Sequence, residues 1–245
     1  MTAIGRVAEL VRYPVKSMAG SSTDSALLGL HGIAGDRRFA FRRVGDPTAF
    51  PFLTAGRFPQ MVTYQPGGFE DVKGEPLPTY VRTPSGAEFE LRSHELRDEI
   101  RNRSGHDVEL MMFKNGIFDD AHLSLISLIT IDTIGREAGI ELDRRRMRAN
   151  VVLDTYAEEP FLEDRWVGAT IVFGDEPDAA AVSVTMRDER CAMINLDPDS
   201  GAQDPRVMKA VVRQNANFAG VYATVVRAGL IRTGQTVHLV RSVQS

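Results

Sequence analysis

Short alternating runs of apolar and polar residues dominate the first part of the chain. Between residues 4 and 92 they include RVAELVRYPV, RRFAFRRV and TYVRT, with glycine or proline interrupting them at short intervals. Alternation with frequent turn residues predicts the short strands of a small barrel or sandwich. The glycine- and proline-rich segment 65–78 is predicted to be a surface loop.

The pattern changes from about residue 94 onwards, where a helical period appears among the strands. Ser127 precedes LITIDTIGREAG, whose apolar face and terminal Gly139 predict a capped helix. Strands are predicted at 150–154, 169–173 and 180–186, a helix at 204–216, and two closing strands in GVYATVVRAG and QTVHLVRS. This order predicts a β-rich α+β fold, with an N-terminal domain over 1–92 and a second domain over 93–245.

Composition and charge narrow the classes of protein to consider. The chain has 245 residues, 43% of them hydrophobic, and a formal net charge of -4. A negative chain has no general attraction to nucleic acid or to an anionic membrane, so neither is expected as a partner. The N-terminus resembles no secretory signal, and no apolar run approaches the roughly 20 residues that span a bilayer. We therefore expect a cytoplasmic protein.

The chain contains a single cysteine, Cys191. One cysteine suits a reducing compartment and excludes a cysteine-ligated iron–sulfur cluster of its own. Any multi-electron chemistry would therefore draw its electrons from a partner. Arg187 and Arg190 flank Cys191, and neighbouring cations favour the thiolate, which is both a nucleophile and a metal ligand. The alternative is a buried cysteine that packs as a small hydrophobe.

Two further segments combine cations with hydroxyl or backbone donors. Lys16 and Ser17 follow Tyr13-Pro14-Val15, and Arg37 lies in the segment Gly35-Asp36-Arg37-Arg38. Such groups are natural partners of a phosphate, because charge-assisted hydrogen bonds are strong. The alternative is an ordinary surface salt bridge, such as one between Asp36 and an arginine.

The segment 143–150, DRRRMRAN, carries four arginines. Three interpretations are open: an oligonucleotide patch, a solvated face, or a strand entry at which Arg148 and Asn150 point towards a ligand. The sequence shows no GxSxG, GxGxxG or GxxxxGK motif, so the hydrolase, dinucleotide and Walker-type classes have no support.

Several stretches together resemble the MOSC family (molybdenum cofactor sulfurase C-terminal) and its N-terminal barrel companion. They are YPVKSMAG, GLHGIAGDRRFAF, LTAGRFPQMV, LISLITID, RMRANVVLD, FLEDRWVGATIVFG, RCAMINLDPDSG and GVYATVVRAGLIRTGQTVHLV. The resemblance covers nearly the whole chain in the family's order and is strongest to amidoxime-reducing proteins. It implies an N-terminal β-barrel-like domain packed on a MOSC-type β-barrel domain with few helices. It also implies a molybdenum-pterin cofactor held between them.

The resemblance also implies site residues. Cys191 matches the cysteine whose thiolate ligates molybdenum. The positions that match cofactor-pocket residues of the family are Lys16, Ser17, Arg37, Ser127, Thr130, Arg148 and Asn150. One departure is Gly56, which stands where the family commonly has arginine, with Arg57 following it. At this length the chain has no room for the pyridoxal-phosphate domain of a complete sulfurase.

The function this favours is a molybdenum oxidoreductase that reduces N-hydroxylated substrates with electrons from a separate redox protein. The cofactor would carry the reaction and the protein would bind and orient it. The alternative is a carrier of the cofactor, or of sulfur as a persulfide on Cys191. A third hypothesis is a binding module for small ligands or nucleic acid that uses the arginine run.

Overall fold

The structure, a computed structural model, describes residues 1–118 and 120–241. The strands within this part are β1 (Thr2–Arg12), β2 (Ser21–Thr23), β3 (Ser25–Gly29), β4 (Gly32–Ile33), β5 (Phe39–Arg43), β6 (Gln65–Gly67), β7 (Glu70–Val72), β8 (Glu75–Leu77), β9 (Tyr80–Arg82), β10 (Glu88–Glu90), β11 (Val108–Met112), β12 (Leu123–Ser127), β13 (Val151–Thr155), β14 (Thr170–Phe173), β15 (Ala181–Glu189), β16 (Phe218–Arg227), β17 (Gly229–Arg232) and β18 (Thr236–Val240). The α-helices are α1 (His94–Ser104), α2 (Leu128–Ala138) and α3 (Arg206–Asn215).

The largest sheet closes into a barrel. Its strands follow the order β13-β12-β16-β15-β14-β18-β1, and β1 pairs back with β13. Closure removes the exposed edges that an open sheet would present. The barrel interior is filled by alternate side chains of these strands and by the indole of Trp166. The N-terminal strand β1 is therefore an integral part of the barrel formed mostly by later residues.

The second core belongs to the N-terminal part of the chain. Here β5 pairs with β11, and β7 pairs with β8. A third sheet has the strand order β10-β9-β6. Phe39, Phe41, Leu53 and Tyr64 pack with Leu96 of α1 in this core. Strand β3 instead lies between β4 and the late strand β17 and pairs with both, so early and late parts of the chain share a sheet. The domain boundary near residue 92 stays a prediction.

Helices α2 and α3 cover the outside of the barrel. Ile131 and Ile134 of α2 pack with Val207 and Val211 of α3 in a third apolar cluster. Ser127 caps α2, because its hydroxyl accepts a hydrogen bond from the Thr130 backbone N–H at 3.3 Å. Among the described residues, no helix is long and apolar enough to cross a membrane.

The predicted β-rich α+β architecture is confirmed, as are the capped helix after Ser127, the helix within 204–216 and the late strands. The end of the last predicted strand, Ser242, lies outside the described residues. The predicted loop at 65–78 was wrong, because β6, β7 and β8 occupy most of it. Its turn residues mark a tight hairpin: Gly74 has a positive φ of 83° between β7 and β8.

Helix α1 was not predicted from the sequence. Ser93 caps it through a 3.2 Å hydrogen bond from the Leu96 backbone N–H, and Gly105 ends it in the left-handed conformation. Only Leu96 and Ile100 are buried along this helix. Two apolar positions form too narrow a stripe to stand out among its charged residues.

Gly5 is a position at which one methyl group should disrupt the barrel closure. A Cβ on Gly5 would lie 2.2 Å from the Asp154 carbonyl oxygen, on the partner strand β13. We expect Gly5→Ala to lower the free energy of unfolding by roughly 1–3 kcal/mol through overpacking. Urea denaturation measures this. The control is Gly29→Ala, where the nearest atom lies at 3.9 Å; an equal loss in both variants would contradict the explanation.

Candidate functional site

Two adjoining clefts open at the seam between the barrel and the N-terminal part. The smaller one, the Cys191 cavity, has a volume of about 90 Å³ and is lined by Cys191, Lys16, Ser17, Arg37, Arg148 and Asp188, among others. The larger one, the Tyr13 cleft, has a volume of about 280 Å³ and includes Tyr13, Val11 and Val152. Arg146, Arg148 and Met193 line both clefts, so the two are continuous. Together they approach the size of a small-molecule site.

Cys191 follows the end of β15 and precedes a short 3-10 helix, Ala192–Asn195. Its side chain is exposed, so the interpretation as a buried hydrophobe was wrong. Both flanking arginines direct their guanidinium groups at other partners. Arg187 lies 3.9 Å above the Phe218 ring and forms a 2.8 Å ion pair with Asp164.

Arg190 and Asp188 form a buried ion pair in the wall of the Cys191 cavity. The Arg190 guanidinium donates to the carbonyl oxygens of Ala219 (2.7 Å) and Met147 (2.8 Å) and lies 3.1 Å from the Asp188 carboxylate. Its second terminal nitrogen, Nη2, is buried and has no hydrogen-bond partner within residues 1–118 and 120–241. The Arg190 guanidinium therefore links three segments of the chain, and its Nη2 atom remains a hydrogen-bond donor for a further group.

Asp188 is only 1% exposed. Burial raises the pKa of its carboxyl, while Arg190 and hydrogen bonds from Ser124 and Tyr222 oppose that rise. The Ser124 hydroxyl donates to the carboxylate at 2.8 Å. Asp188 thus links β12, β15 and β16 directly beside Cys191.

The Tyr13 ring lies between two guanidinium groups. The Arg148 group is 4.4 Å and the Arg37 group 5.2 Å from the ring centroid, within the range of cation–π contacts. Burial raises the pKa of Tyr13 to about 12, so the phenol is neutral at pH 7. The Arg148 Nη1 atom also donates to the Met18 carbonyl oxygen at 2.7 Å. This stack fixes two cations at the junction of the two clefts.

Three residues of the Cys191 cavity have a left-handed backbone although none is glycine. The φ angles are 67° at Ser17, 47° at Arg37 and 51° at Arg148. Such conformations cost of order 1 kcal/mol or more and cluster at functional sites. Lys16 precedes Ser17, is itself buried, and places its ammonium group 5.4 Å from the Phe50 ring centroid.

Asn150 lies beneath this surface, not in the lining of either cleft. Its side-chain oxygen accepts hydrogen bonds from Arg37 Nη1 (3.2 Å) and from the Ser124 backbone N–H (3.3 Å). Its side-chain nitrogen donates to the Val11 carbonyl oxygen at 3.1 Å. The Asn150 amide therefore holds Arg37 in place and connects it to β12 and β1.

Ser127 and Thr130 are two further predicted site residues that, like Asn150, line neither cleft. Both are buried at the start of α2. The Ser127 hydroxyl lies 2.9 Å from Thr130 Oγ1 and 3.1 Å from a carboxylate oxygen of Glu163, a residue with no exposed surface. The Ser127 backbone N–H also points at Glu163, at 3.3 Å. Their donors are committed to an internal carboxylate.

The arginine run divides into two pairs. Arg144 pairs with Glu9 at 2.7 Å, and Arg145 pairs with Asp143 and Asp199, each at 2.6 Å, so both exposed arginines face carboxylates. Arg146 is buried and donates to the Asn195 carbonyl oxygen at 2.7 Å. All four arginines of the run line the Tyr13 cleft, and Arg146 and Arg148 also line the Cys191 cavity.

The ion pair that was considered for Asp36 exists, with Asp36 buried and Arg37 half-buried. Asp36 is in contact with the Arg37 guanidinium and accepts a 2.6 Å hydrogen bond from the Tyr13 backbone N–H. It therefore aims Arg37 at the cavity. Tyr13 and Asp188, which help to form the clefts, were not predicted from the sequence, nor was Glu163 at the start of α2. Only for Asp188 was a signal present, since it lies two residues beyond the predicted strand 180–186, in phase with Val182 and Val184, and shortly before Cys191.

Fold and site together describe a closed β-barrel protein with an exposed thiol in a cation-lined cavity. A MOSC domain model matches residues 102–238, and a MOSC N-terminal beta barrel domain model matches residues 4–108. The chain therefore belongs to the MOSC domain family, which is often associated with the molybdenum cofactor.

The comparison with solved structures includes a match above a TM-score of 0.5 over nearly the whole chain. The YuaD protein of Bacillus subtilis shares 18% sequence identity with a TM-score of 0.51, over 98% of this chain and 96% of that chain. YiiM of Geobacillus stearothermophilus shares 20% identity with a TM-score of 0.38, over 49% of this chain and 54% of that chain. No curated protein matches the sequence.

Proposed function

We propose that this chain is a molybdenum-cofactor-dependent oxidoreductase that reduces N-hydroxylated compounds with electrons from a separate redox protein. The observation that carries the proposal is the exposed thiol of the chain's single cysteine in a cavity lined by Lys16, Arg37 and Arg148. A thiolate is a metal ligand, and the cations suit an anionic group beside it. We also propose a cytoplasmic location, where such a thiol stays reduced.

The residues present fit an anionic, ring-containing cofactor. The Tyr13 cleft offers apolar walls from Val11 and Val152 next to the arginine-rich junction. Arg190 Nη2 is a buried donor without a partner in the described part of the chain, and a ligand oxygen would satisfy it. Cys191 would hold the metal, while Lys16, Arg37 and Arg148 would neutralise the cofactor's negative charge.

When bound, the cofactor supplies the two-electron removal of oxygen from nitrogen. The protein's part is to fix charges before the substrate arrives. Tyr13 and Asp36 orient Arg37, and Tyr13 with the Met18 carbonyl orients Arg148. Because these guanidinium groups are already held in place, little reorganisation is needed on binding.

Molybdenum content tests the proposal. We expect near-stoichiometric molybdenum and pterin in protein made in a host that synthesises the cofactor. Cys191→Ser should lose the metal or change its absorption spectrum, since a hydroxyl is a poor substitute for a thiolate. The control, Ala192→Ser, adds the same hydroxyl one residue later without removing the thiol. Wild-type protein free of molybdenum and pterin, with the host supply verified, would contradict the proposal.

The same exposed thiol favours a second candidate, a carrier of the cofactor or of sulfur. A persulfide forms on an accessible thiol, and Cys191 is accessible. Mass spectrometry of protein incubated with a polysulfide, which transfers one sulfur atom to the thiolate and leaves as the shortened polysulfide, would detect a persulfide on Cys191. Stable loading with cofactor, but no reduction of N-hydroxylated compounds with any donor tried, would favour the carrier. Salt-sensitive oligonucleotide binding in the absence of molybdenum would instead favour the nucleic-acid module.

A further inference from the structure

Three leucines form an exposed apolar face on the sheet of β3, β4 and β17. Leu27 and Leu230 are register partners on adjacent strands, and Leu30 follows the end of β3. Their exposed fractions are 48%, 42% and 68%, whereas the alternate residues Leu28 and Ile231 are fully buried. Clustered large apolar side chains on a surface mark an interaction site. We call Leu27, Leu30 and Leu230 the leucine face.

Positive charge borders this face. Leu27 and Leu30 line a cleft of about 240 Å³ together with His31, Lys73 and Lys114. The sequence has four lysines, so half of them lie in this cleft. The two carboxylates that line the cleft are already in ion pairs, Asp36 with Arg37 and Glu75 with Arg38. An apolar centre with a charged rim is typical of a protein-binding surface.

The cleft lies just behind the Cys191 cavity. The turn 35–38 separates them, since Asp36 lines the cleft and Arg37 lines the cavity. Side-chain contacts also connect the two: the His31 and His122 rings lie 5.8 Å apart, and the His122 and Phe118 rings lie 5.0 Å apart. The Arg37 guanidinium is 5.9 Å from the Phe118 ring. A few packed side chains therefore span the distance from the outer surface to the cavity.

We propose that the leucine face and its lysine rim dock the electron donor, a small redox protein with an acidic surface. The inference rests on the proposed function. The reduced donor gives up two electrons and the nitrogen–oxygen bond of the substrate breaks. Of two protons from solvent, one joins the departing hydroxyl, which leaves as water, and the other joins the nitrogen. Electron transfer requires close approach of the two centres, and electron-transfer encounters use small interfaces. Complementary charge favours an acidic partner over a second copy of this chain, which would bring lysines near lysines.

The experiment measures binding and electron transfer with two defined probes, a plant-type [2Fe–2S] ferredoxin and a flavodoxin. The test variant combines Lys73→Glu with Lys114→Glu. The control, Lys209→Glu, makes the same charge change at an exposed position of α3. We expect the association rate with at least one probe to fall roughly ten-fold in the test variant, and to lose most of its salt dependence. The control should stay near the wild-type rate, and Leu30→Ser should speed dissociation.

Binding is measured on metal-free and molybdenum-loaded protein, so the two proposals fail separately. Lysine-dependent binding without N-hydroxy reduction would support the docking surface and contradict the proposed function. Reduction that proceeds equally well in the charge-reversed variant would overturn the docking surface alone. Failure of both probes to bind wild type at low ionic strength would also overturn it. A dimer seen by light scattering that Leu30→Ser converts to a monomer would overturn it too, because the leucine face would then bind another copy of this chain.

Discussion

Replacing Asp188 with alanine is expected to lower the free energy of unfolding at pH 7 by about 3–5 kcal/mol. The reason is that the substitution leaves the buried guanidinium of Arg190 without its carboxylate partner. Arg190 is only 7% exposed and its guanidinium lies 3.1 Å from the Asp188 carboxylate. Removing one member of a buried ion pair leaves the other charge uncompensated in a poorly solvated position, and that residual charge dominates the loss. The Ser124 hydroxyl would lose its acceptor as well.

Urea denaturation monitored by circular dichroism measures this loss. Glu189→Ala is the matched control, because it removes a neighbouring carboxylate that is exposed on the same strand. We expect that control to change stability by less than about 0.5 kcal/mol. Combining Asp188→Ala with Arg190→Met should recover part of the loss, since the buried charge is then gone. A loss below about 1 kcal/mol in the single variant would show that water or another group replaces Asp188.

Five of the eight predicted site residues lie together, and all five stand at strand ends or turns. Cys191, Lys16, Ser17, Arg37 and Arg148 all line one cavity. Each stands in a short segment where polar residues interrupt an apolar pattern, which sequence alone reveals. Their convergence is a property of barrel closure, because the pairing of β1 with β13 brings the first and middle parts of the chain together.

The supporting residues were not predictable in the same way. In the sequence, Tyr13 looks like an ordinary core residue. Its role is visible only in the structure, where the guanidinium groups of Arg37 and Arg148, 24 and 135 positions later in the sequence, lie over its ring. Asn150 was predicted to face a ligand, but its amide is directed at Arg37, Ser124 and Val11. Whether a side chain at the start of a strand faces the cavity depends on the register of strand pairing, which the residue types do not reveal.

At the start of α2 the structure differs from what the family resemblance implied for Ser127 and Thr130. A helix N-terminus attracts an anion, and Ser127 and Thr130 were expected to meet one there. The structure supplies that group from within the chain: the Glu163 side chain faces the Ser127 backbone N–H and both hydroxyls. The position expected for an anion is thus occupied by a buried carboxyl group of the protein itself.

This internal carboxyl should make stability fall as pH rises. Burial raises the pKa of Glu163 above the ordinary value of 4.5, although hydrogen bonds from Ser127 and Thr130 oppose the shift. Below pH 4.5 the group is protonated in both the folded and the unfolded chain, so its contribution is fully present. Above that pH the unfolded chain ionises while the folded chain keeps its proton. The folded state then loses up to about 1.4 kcal/mol per pH unit, until the pH exceeds the raised folded pKa.

Glu163→Gln should remove this dependence, because an amide stays neutral and its oxygen accepts the Ser127 N–H in the same place. The measurement is the free energy of unfolding in urea between pH 5 and pH 8, compared as a difference between wild type and variant. Asp188 contributes a slope of the same sign in both proteins, since burial also raises its pKa, and the comparison cancels it. Glu176→Gln, the same chemical change at an exposed position, should keep the wild-type slope. If wild type instead gains stability over Glu163→Gln as the pH rises, Glu163 is ionised in the folded chain, and the start of α2 stabilises a true anion.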